Sequence, residues 1–315
     1  MTNIALHEMF LHKSGSRVSI GHKYDSWHDF WLVFDYYGSN KIYSFFEWRI
    51  ASNRDKTIDG DSLYRSALLQ GEGSDWIGPI IVEALEFPSA PATFTGGNHA
   101  FDGGVNGSAT SYTMNIDILM DGKHVKDDVS HSCSEVVIRV TNEVQAFNTK
   151  KEDGSGDAVL RETVIFIIRC GTVKVQHEMI MLKEAKIYKY YGLQTVNSFW
   201  NKKILYGDPH SLGHAFPSFG NNDSGRKSDH PEVDRFLIKS QDGKHEVLAW
   251  LDRDIGLGKL EWLSDELPVA FTMNYGKSYF NLINGTQPIV RPGDVLHWSG
   301  GYIFRTSDPE RTLLV

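Results

Sequence analysis

The chain has 315 residues, long enough to bury a sizeable core in one large domain or two smaller ones. Its 32 basic and 40 acidic side chains give a formal charge of −8, which argues against a nucleic-acid partner because phosphate contacts need a basic face. No apolar run approaches the roughly 20 residues that a membrane helix needs, so no membrane insertion is expected. Residues 1–20 lack the apolar region of a signal peptide. The sequence therefore predicts synthesis in the cytoplasm, and leaves action outside a cell or in a virion open.

Aromatic residues make up 12% of the chain, and there are 29 glycines. Aromatic side chains favour strands and glycines serve turns, so this composition indicates antiparallel sheet. Segments rich in β-branched and aromatic residues alternate with Asp-Gly and Asn-Gly turn signals. These segments are 42–50, 76–85, 112–120, 135–147, 163–170 and 172–182. Only 61–69 and 261–267 have helical character. We therefore predict an all-β fold, an antiparallel β-sandwich with few short helices.

The segments on either side of Gly171 predict a long central hairpin. Arg161 and Arg169 lie eight residues apart on its first strand, so they share a face with the apolar residues between them. This pattern indicates a groove floor with an apolar midsection. The alternative is that the arginines form salt bridges at a rim and that His177, on the second strand, sits in a core of valines and methionines.

Residues 207–235 lack strand character, and a loop of this length inside a domain is usually functional or a linker. We predict a single β-sandwich domain over 1–315 that carries this loop. The alternative is a β-sandwich over 1–206 followed by a small β-module over 236–315. His210 and His214 have a spacing that suits a metal on a helix, but Pro209 and the residues between the histidines disfavour a helix. Neither a metal nor another cofactor is therefore predicted.

A glycine-rich stretch at 95–104 contains His99, which we place on a loop where backbones approach closely. An imidazole there suits general acid–base catalysis, and the alternative is a structural loop whose histidine caps backbone carbonyls. The segment 96–99 (Gly-Gly-Asn-His) resembles a Gly-Gly-x-His-Gly signature of tail-fibre-type proteins of tailed bacteriophages, with Ala100 in place of the last glycine. This resemblance implies a non-catalytic phage tail or receptor-binding protein that forms a symmetric oligomer.

The same stretch also resembles the Gly-Gly…Gly-Phe-Asp segment of the aldose epimerases, which are galactose-mutarotase-like carbohydrate-active proteins. Residues 277–282 (Lys-Ser-Tyr-Phe-Asn-Leu) resemble a second epimerase motif, His-Ser-Tyr-Phe-Asn-Leu. The resemblance implies a supersandwich-like arrangement of the β-sandwich. In the epimerases the histidine of that motif is catalytic, and Lys277 stands in its place here, so epimerase activity is not expected.

Three short blocks resemble those of the GDSL/SGNH esterases. They are 60–63 (Gly-Asp-Ser-Leu), 220–223 (Gly-Asn-Asn-Asp) and the Asp-x-x-His spacing that ends at His297. The resemblance implies Ser62 as nucleophile, Asn222 as oxyanion donor, Asp294 as orienting group and His297 as base. The residues before Ser62 are polar, whereas that family's nucleophile follows an apolar strand. Despite this departure, the three blocks make a carbohydrate esterase that uses Ser62 a third hypothesis.

The leading hypothesis combines the β-architecture with aromatic side chains that offer flat faces to sugar rings. We predict a protein that engages a polysaccharide or cell-surface glycan, and specifically a polysaccharide lyase acting on a uronic-acid polysaccharide. β-Elimination needs one group to neutralise the sugar carboxylate, a base to remove the α-proton and an acid for the leaving oxygen. The candidates for proton transfer are His99, His177, Tyr191 and Tyr112. The candidates for substrate binding are Asn98, Arg161, Arg169, Tyr190 and Gln194.

Overall fold

The computed structural model describes residues 8–71, 76–217 and 219–307. Residues 1–7, part of the segment considered for a signal peptide, lie outside these ranges. The regular structure is almost entirely β-strand, as predicted. The first twelve strands are β1 (Met9–Ser14), β2 (Arg17–Asp25), β3 (His28–Tyr37), β4 (Ile42–Ser52), β5 (Ala67–Gln70), β6 (Ile80–Ala84), β7 (Ser111–Met120), β8 (Lys123–His124), β9 (Val129–Cys133), β10 (Val136–Lys150), β11 (Gly156–Arg169) and β12 (Thr172–Met181).

The remaining described strands are β13 (Ala185–Tyr190), β14 (Gln194–Val196), β15 (Trp200–Gly207), β16 (Leu212–Phe216), β17 (Asn222–Asp223), β18 (Arg235–Ser240), β19 (His245–Leu251), β20 (Ala270–Met273), β21 (Lys277–Phe280), β22 (Ile283–Asn284), β23 (Ile289–Val290) and β24 (Val295–Thr306). A one-turn helix, α1 (Ser62–Arg65), and a 3₁₀ turn at Gly256–Lys259 complete the regular elements of the described ranges. None of these helices is long and apolar enough to cross a membrane.

The described strands form four antiparallel sheets. Sheet I has the order β5-β4-β3-β2-β1-β9, and sheet II has the order β16-β15-β18-β19-β24-β12-β11-β10-β7-β8. In sheet III, β13 pairs with β6, β22 and β23, and in sheet IV the order is β14-β21-β20-β17. The antiparallel β-sandwich predicted from the sequence is confirmed.

Sheets I and II pack face to face through aromatic rings. The ring centroid of Phe166 on β11 lies 5.2 Å from those of Phe34 on β3 and Phe45 on β4. At another part of the interface, the ring of Phe30 stacks on that of Phe304 at 5.4 Å. Such ring pairs contribute about 0.5–1.5 kcal/mol each beyond the burial of their area. The core of the protein is therefore the space between these two sheets.

The predicted central hairpin is present. β11 and β12 pair from Leu160–Met181 to Arg169–Thr172, and the chain turns at Gly171 with a φ of +69°. Only glycine adopts this left-handed conformation without strain. A Cβ at this position would also come within 3.2 Å of the carbonyl oxygen of Phe304. The turn therefore favours glycine mainly for its conformation, and a side chain would also make a tight contact.

The long loop predicted at 207–235 contains two short strands, β16 and β17. β16 is an edge strand whose residues alternate between intermediate and exposed, so its sequence carries little apolar periodicity. The predicted helix at 261–267 is absent, and only α1 forms within 61–69 before the chain enters β5. These weak patterns were outweighed by pairing with neighbouring strands, which local propensity does not encode.

Strands from both sides of this segment join the same sheet. β24 pairs with β12 along one edge and with β19 along the other. β18 in turn connects β19 to β15. Strands before and after 207–235 are therefore hydrogen-bonded neighbours in sheet II, and the single domain over 1–315 stays a prediction.

One buried histidine makes the stability of this core depend on pH. Complete burial lowers the pKa of His22, on the inner face of β2, from 6.5 to about 4. Between these values the unfolded chain binds the proton that the folded chain refuses, so stability falls as pH falls through this window. The shift corresponds to about 3 kcal/mol. We expect His22→Leu to remove most of the loss, measured by urea unfolding at pH 7 and pH 4.5.

The matched control is His131→Gln, because the side chain of His131 is exposed. This variant should unfold with the same pH dependence as the unaltered protein. An equally steep loss of stability in His22→Leu would contradict the assignment to His22.

Candidate functional site

The glycine-rich loop lies over one end of sheet I and is fixed by amide side chains. The Oδ1 atom of Asn98 accepts a hydrogen bond from the backbone N–H of Ser39 at 2.7 Å. Asn40 donates through its side chain to the carbonyl oxygen of Gly97 at 2.8 Å. These two hydrogen bonds hold the glycine-rich loop against the turn between β3 and β4.

Two of the predicted residues meet at this loop. The ring of His99 lies 5.4 Å from that of Phe94, and Phe94 lies 5.5 Å from Tyr191. The Nδ1 atom of His99 is 3.2 Å from the carbonyl oxygen of Gly103, which matches the structural alternative of a histidine that caps the loop. Burial, followed by Tyr275, raises the pKa of Tyr191 to about 12.

A second group of predicted residues lies inside the sandwich. His177 is buried, its Nε2 atom is 3.0 Å from Oε2 of Glu162, and its ring stacks on Trp298 at 5.1 Å. Asn142 donates to the other oxygen of Glu162 at 2.8 Å. The hydroxyl of Tyr190 accepts a hydrogen bond from the indole of Trp298 at 2.8 Å, and burial raises its pKa well above the usual value.

The cavity beside Glu162 is too small for a sugar. It is bordered by Glu162, Tyr190 and Asn142 together with the glycine-rich loop, and its volume is about 20 Å³. That volume suits one or two water molecules. Gln194 is also fully buried, and its carbonyl oxygen accepts a hydrogen bond from the hydroxyl of Tyr302.

These positions correct the sequence-based assignment of His177, Tyr190 and Gln194. A polysaccharide chain on the surface does not reach side chains between the two sheets. Strand periodicity places His177 on the buried face of β12 together with Val175 and Met179, and its ring contacts Glu162 and Trp298 there. The paired Glu162 was not identified from the sequence, because its neighbour across the hairpin depends on the register.

The third group lies on the outer face of sheet II and is occupied by ion pairs. Arg161 donates to Glu143 at 2.6 Å, and the hydroxyl of Tyr112 donates to the other oxygen of the same carboxylate at 2.9 Å. Arg169 forms a separate pair with Glu135 at 2.6 Å. The two arginines therefore share a face, as expected, but they are bound to different carboxylates as the rim alternative supposed.

These contacts also set the acidity of the groups. The hydrogen bond from Arg161 holds the pKa of Glu143 below its usual range. Burial and the hydrogen bond to Glu143 raise the pKa of Tyr112, which makes its phenol a weaker acid. Tyr112 is thus a poor candidate for protonating a leaving group.

The outer face of sheet II contains a cleft of about 280 Å³, which we call the sheet-face cleft. Its residues alternate with core residues along β11, β12 and β24, so their side chains point away from the sandwich. They are Thr163, Ile165, Gln176, Glu178, His297 and Ser299, with Ile255 from the adjacent loop. His177 and Trp298, whose side chains are buried in the core, also border the cleft.

Glu178 and His297 are directly opposite each other on β12 and β24, and Gln176 is opposite Ser299. Opposite residues in an antiparallel pair have Cβ atoms about 4.5–5.5 Å apart. The Oγ atom of Ser299 is buried and makes no hydrogen bond within the described parts of the chain. The cleft therefore combines a carboxylate, an imidazole, an amide and hydroxyl groups beside apolar walls.

A second hollow of about 190 Å³ adjoins this cleft and shares His297 with it. Leu257 and Trp262 supply its apolar surface, and Lys259 and Glu261 lie at its border. We call it the adjoining hollow. Together the two depressions approach the size of small-molecule sites.

The sequence did identify the floor of the cleft, since Thr163 and Ile165 belong to the apolar midsection predicted between the arginines. It missed His297 and Glu178 as neighbours. β24 follows β12 by more than a hundred residues, so only the register of the folded sheet brings these side chains together. From the sequence, the alternation along each strand could show only that both side chains point away from the core.

The structure contradicts the esterase interpretation. Ser62 is fully buried, and its Oγ atom accepts a hydrogen bond from the indole of Trp31 at 3.0 Å. Trp31 alternates with core residues on β3, so Ser62 lies on the outer side of sheet I, whereas His297 lies on the outer face of sheet II. Asn222, on β17 of sheet IV, accepts a hydrogen bond from the hydroxyl of Tyr206 on β15 of sheet II. These residues cannot act together.

Two histidines of the segment 207–235 lie in contact, but no third metal-binding side chain accompanies them within the described residues. The rings of His214 and His230 lie 4.6 Å apart. Within residues 8–71, 76–217 and 219–307, no three histidine, cysteine, aspartate or glutamate side chains are arranged to hold a metal ion. This pair is therefore a ring contact in a surface segment.

No family model and no curated protein matches this chain. Among solved structures, it is similar to the GH36 α-galactosidase AgaA of Geobacillus stearothermophilus, with 8% identity and a TM-score of 0.44 over 95% of this chain and 40% of that one. It is also similar to an α-galactosidase from Lactobacillus brevis, with 8% identity and a TM-score of 0.47 over 91% and 39% of the two chains. This chain thus spans about 40% of the length of these galactosidases.

An aldose 1-epimerase candidate from Klebsiella pneumoniae is similar at 10% identity, with a TM-score of 0.33 over 89% of this chain and 85% of that one. The phage tail-fibre resemblance is not shown by these structures. All three similarities are too remote to assign an activity or a ligand to this chain.

Breaking the buried pair of His177 and Glu162 should cost more stability than breaking the surface pair of Arg161 and Glu143. We expect His177→Ala to lower the free energy of unfolding by about 3 kcal/mol or more, because it leaves the Glu162 carboxylate buried without this partner. Arg161→Ala breaks a partly exposed ion pair and should cost about 1 kcal/mol or less. Urea unfolding followed by circular dichroism measures both values. Equal effects of the two substitutions would show that His177 is not a structural element of the core.

Proposed function

We propose that this protein binds an uncharged saccharide in the sheet-face cleft and does not catalyse a reaction on it. The observation that carries the proposal is the mixed surface of the cleft. Ile165 and Ile255 offer apolar contact, while Gln176, Glu178 and His297 offer hydrogen-bonding groups beside them. A sugar ring has the same two characters, with C–H groups on its faces and hydroxyls at its edge, and binding sites fix such ligands with a few polar groups.

The charges around the cleft favour an uncharged sugar over a uronic acid. The Glu178 carboxylate lies within the cleft and would repel the carboxylate of a uronate. Arg161 lies one row of residues away, opposite Ile180, and its guanidinium is bound to Glu143. The Arg161 guanidinium is therefore already paired with a carboxylate of the protein and is poorly placed to neutralise a sugar carboxylate in the cleft. This weighs against the finer prediction of β-elimination.

The positions of the predicted acid and base groups support the same choice. His99 lies at the glycine-rich loop, His177 lies between the sheets, and Tyr112 is bound to the Glu143 carboxylate. A lyase needs these functions around one sugar carboxylate. Recognition without catalysis needs only the cleft. It also agrees with the alternative of a receptor-binding protein, whose symmetric oligomer remains a prediction for light scattering.

Isothermal titration calorimetry with a panel of uncharged mono- and disaccharides tests this proposal. The panel contains galactose, glucose, mannose, N-acetylglucosamine and lactose, and we expect at least one of them to bind. Glu178→Gln should weaken binding about tenfold or more, because hydrogen bonds to a carboxylate contribute roughly 1.5–3 kcal/mol. His297→Ala should weaken it about fivefold, because it removes a hydrogen-bonding side chain that contributes about 1 kcal/mol. Lys174→Gln is the matched control, since Lys174 lies on the same strand and the same face outside the cleft.

Two results would refute this proposal. One is the absence of binding to every uncharged sugar of the panel. The other is binding that Glu178→Gln and His297→Ala leave unchanged. Absorbance from unsaturated uronic ends after incubation with acidic polysaccharides would instead restore the lyase prediction.

A further inference from the structure

A run of aromatic rings lies on the surface between the glycine-rich loop and sheet IV. From Phe94 the run continues through Tyr191, whose ring lies 5.2 Å from Phe271 and 5.1 Å from Tyr279. We call it the aromatic row. Its members are His99, Phe94, Tyr191, Phe271, Tyr279 and Tyr275.

The rings of the row are layered. Tyr279 is buried and forms the base, with the ring of Phe271 stacked on it at 4.9 Å and an interplanar angle of 15°. At one end, Tyr275 is 62% exposed and its hydroxyl is 3.0 Å from that of Tyr279. Phe94, His99 and Tyr191 are partly exposed at the other end. The row therefore presents several ring surfaces to solvent in succession.

The backbone beneath the row is rigidly held. The N–H of Gly78 donates to the carbonyl oxygen of Gly192 at 2.8 Å. A Cβ at position 78 would lie only 1.4 Å from the carbonyl oxygen of Tyr191. This close approach requires glycine and fixes the position of Tyr191. A preorganised ring costs little conformational entropy when a ligand binds.

The electrostatics of the row suit an uncharged partner with hydroxyl groups. Burial, followed by Tyr275, raises the pKa of Tyr191, so its hydroxyl keeps its proton and stays a hydrogen-bond donor. The hydroxyls of Tyr275 and Tyr279 and the imidazole of His99 provide polar edges. Asp223 lies opposite Phe271, and Lys277 lies two residues from Tyr279 on the same face of sheet IV. These two side chains carry opposite charges, so the row has no excess of one sign to select a charged partner.

We propose that the aromatic row is a second carbohydrate site, separate from the sheet-face cleft, which holds several successive sugar units of an uncharged polysaccharide. Consecutive sugar units of a polysaccharide can each place an apolar face against one ring of the row. A single small ligand would contact only part of the row. The residues of the row belong to sheet IV and the loops beside it, and none of them lines the sheet-face cleft.

Affinity electrophoresis in gels that contain xylan, galactomannan, dextran or hydroxyethyl cellulose tests this proposal. At least one of these polymers should retard the protein. Tyr275→Ala and Phe94→Ala should each raise the dissociation constant about fivefold or more, whereas Tyr275→Phe should retain binding because it keeps the ring. Tyr64→Ala is the matched control, since Tyr64 is a 72% exposed tyrosine on α1.

Variants of the other site separate this proposal from the proposed function. Tyr275→Ala should leave the calorimetric binding of small sugars unchanged, and His297→Ala should leave the retardation by polysaccharide unchanged. Retardation by none of the polymers would overturn the proposal. So would retardation that His297→Ala abolishes and Tyr275→Ala does not, because the polymer would then bind in the cleft. Self-association that Tyr275→Ala abolishes, without polysaccharide binding, would assign the row to contact between copies of this chain.

Discussion

The contact between the inner faces of sheets I and II is the interaction on which the other features of this protein depend. Rings from β3 and β4 meet the ring of Phe166 from β11, and Phe30 meets Phe304 from β24. Because this interface occupies one side of β11, β12 and β24, the other side of these strands faces solvent. The sheet-face cleft exists on that outer side, and its floor is as rigid as the core beneath it.

The sequence predicted the parts of the fold that depend on local pattern. Aromatic and β-branched segments with Asp-Gly turns indicated the sandwich, and Gly171 marked the central hairpin. β16 escaped notice because an exposed edge strand needs no apolar alternation. The pairing of Glu178 with His297 also could not be predicted, since it depends on which distant strand lies beside β12.

The catalytic and binding roles stay predictions, because residue type does not tell which face of a strand a side chain occupies. Residue type suggested that His177, Arg161 and Tyr112 could act on one substrate. The structure places His177 between the sheets and the other two on the outer face, where Glu143 binds both. Side-chain chemistry was read correctly, but the face of each strand decides which groups meet. His99 and Tyr191 were brought near each other by Phe94, a residue that no motif had indicated.

The strict alternation along β12 also protects the protein against mispairing during folding. Val173, Val175 and Met179 point into the core, while Lys174, Gln176 and Glu178 point to solvent. A slip of one residue against β11 would exchange these two sets, placing an ammonium and a carboxylate in hydrocarbon. The wrong register is thus excluded by the cost of desolvating charge, and the same side chains that shape the outer surface enforce fidelity in the assembly of the sheet.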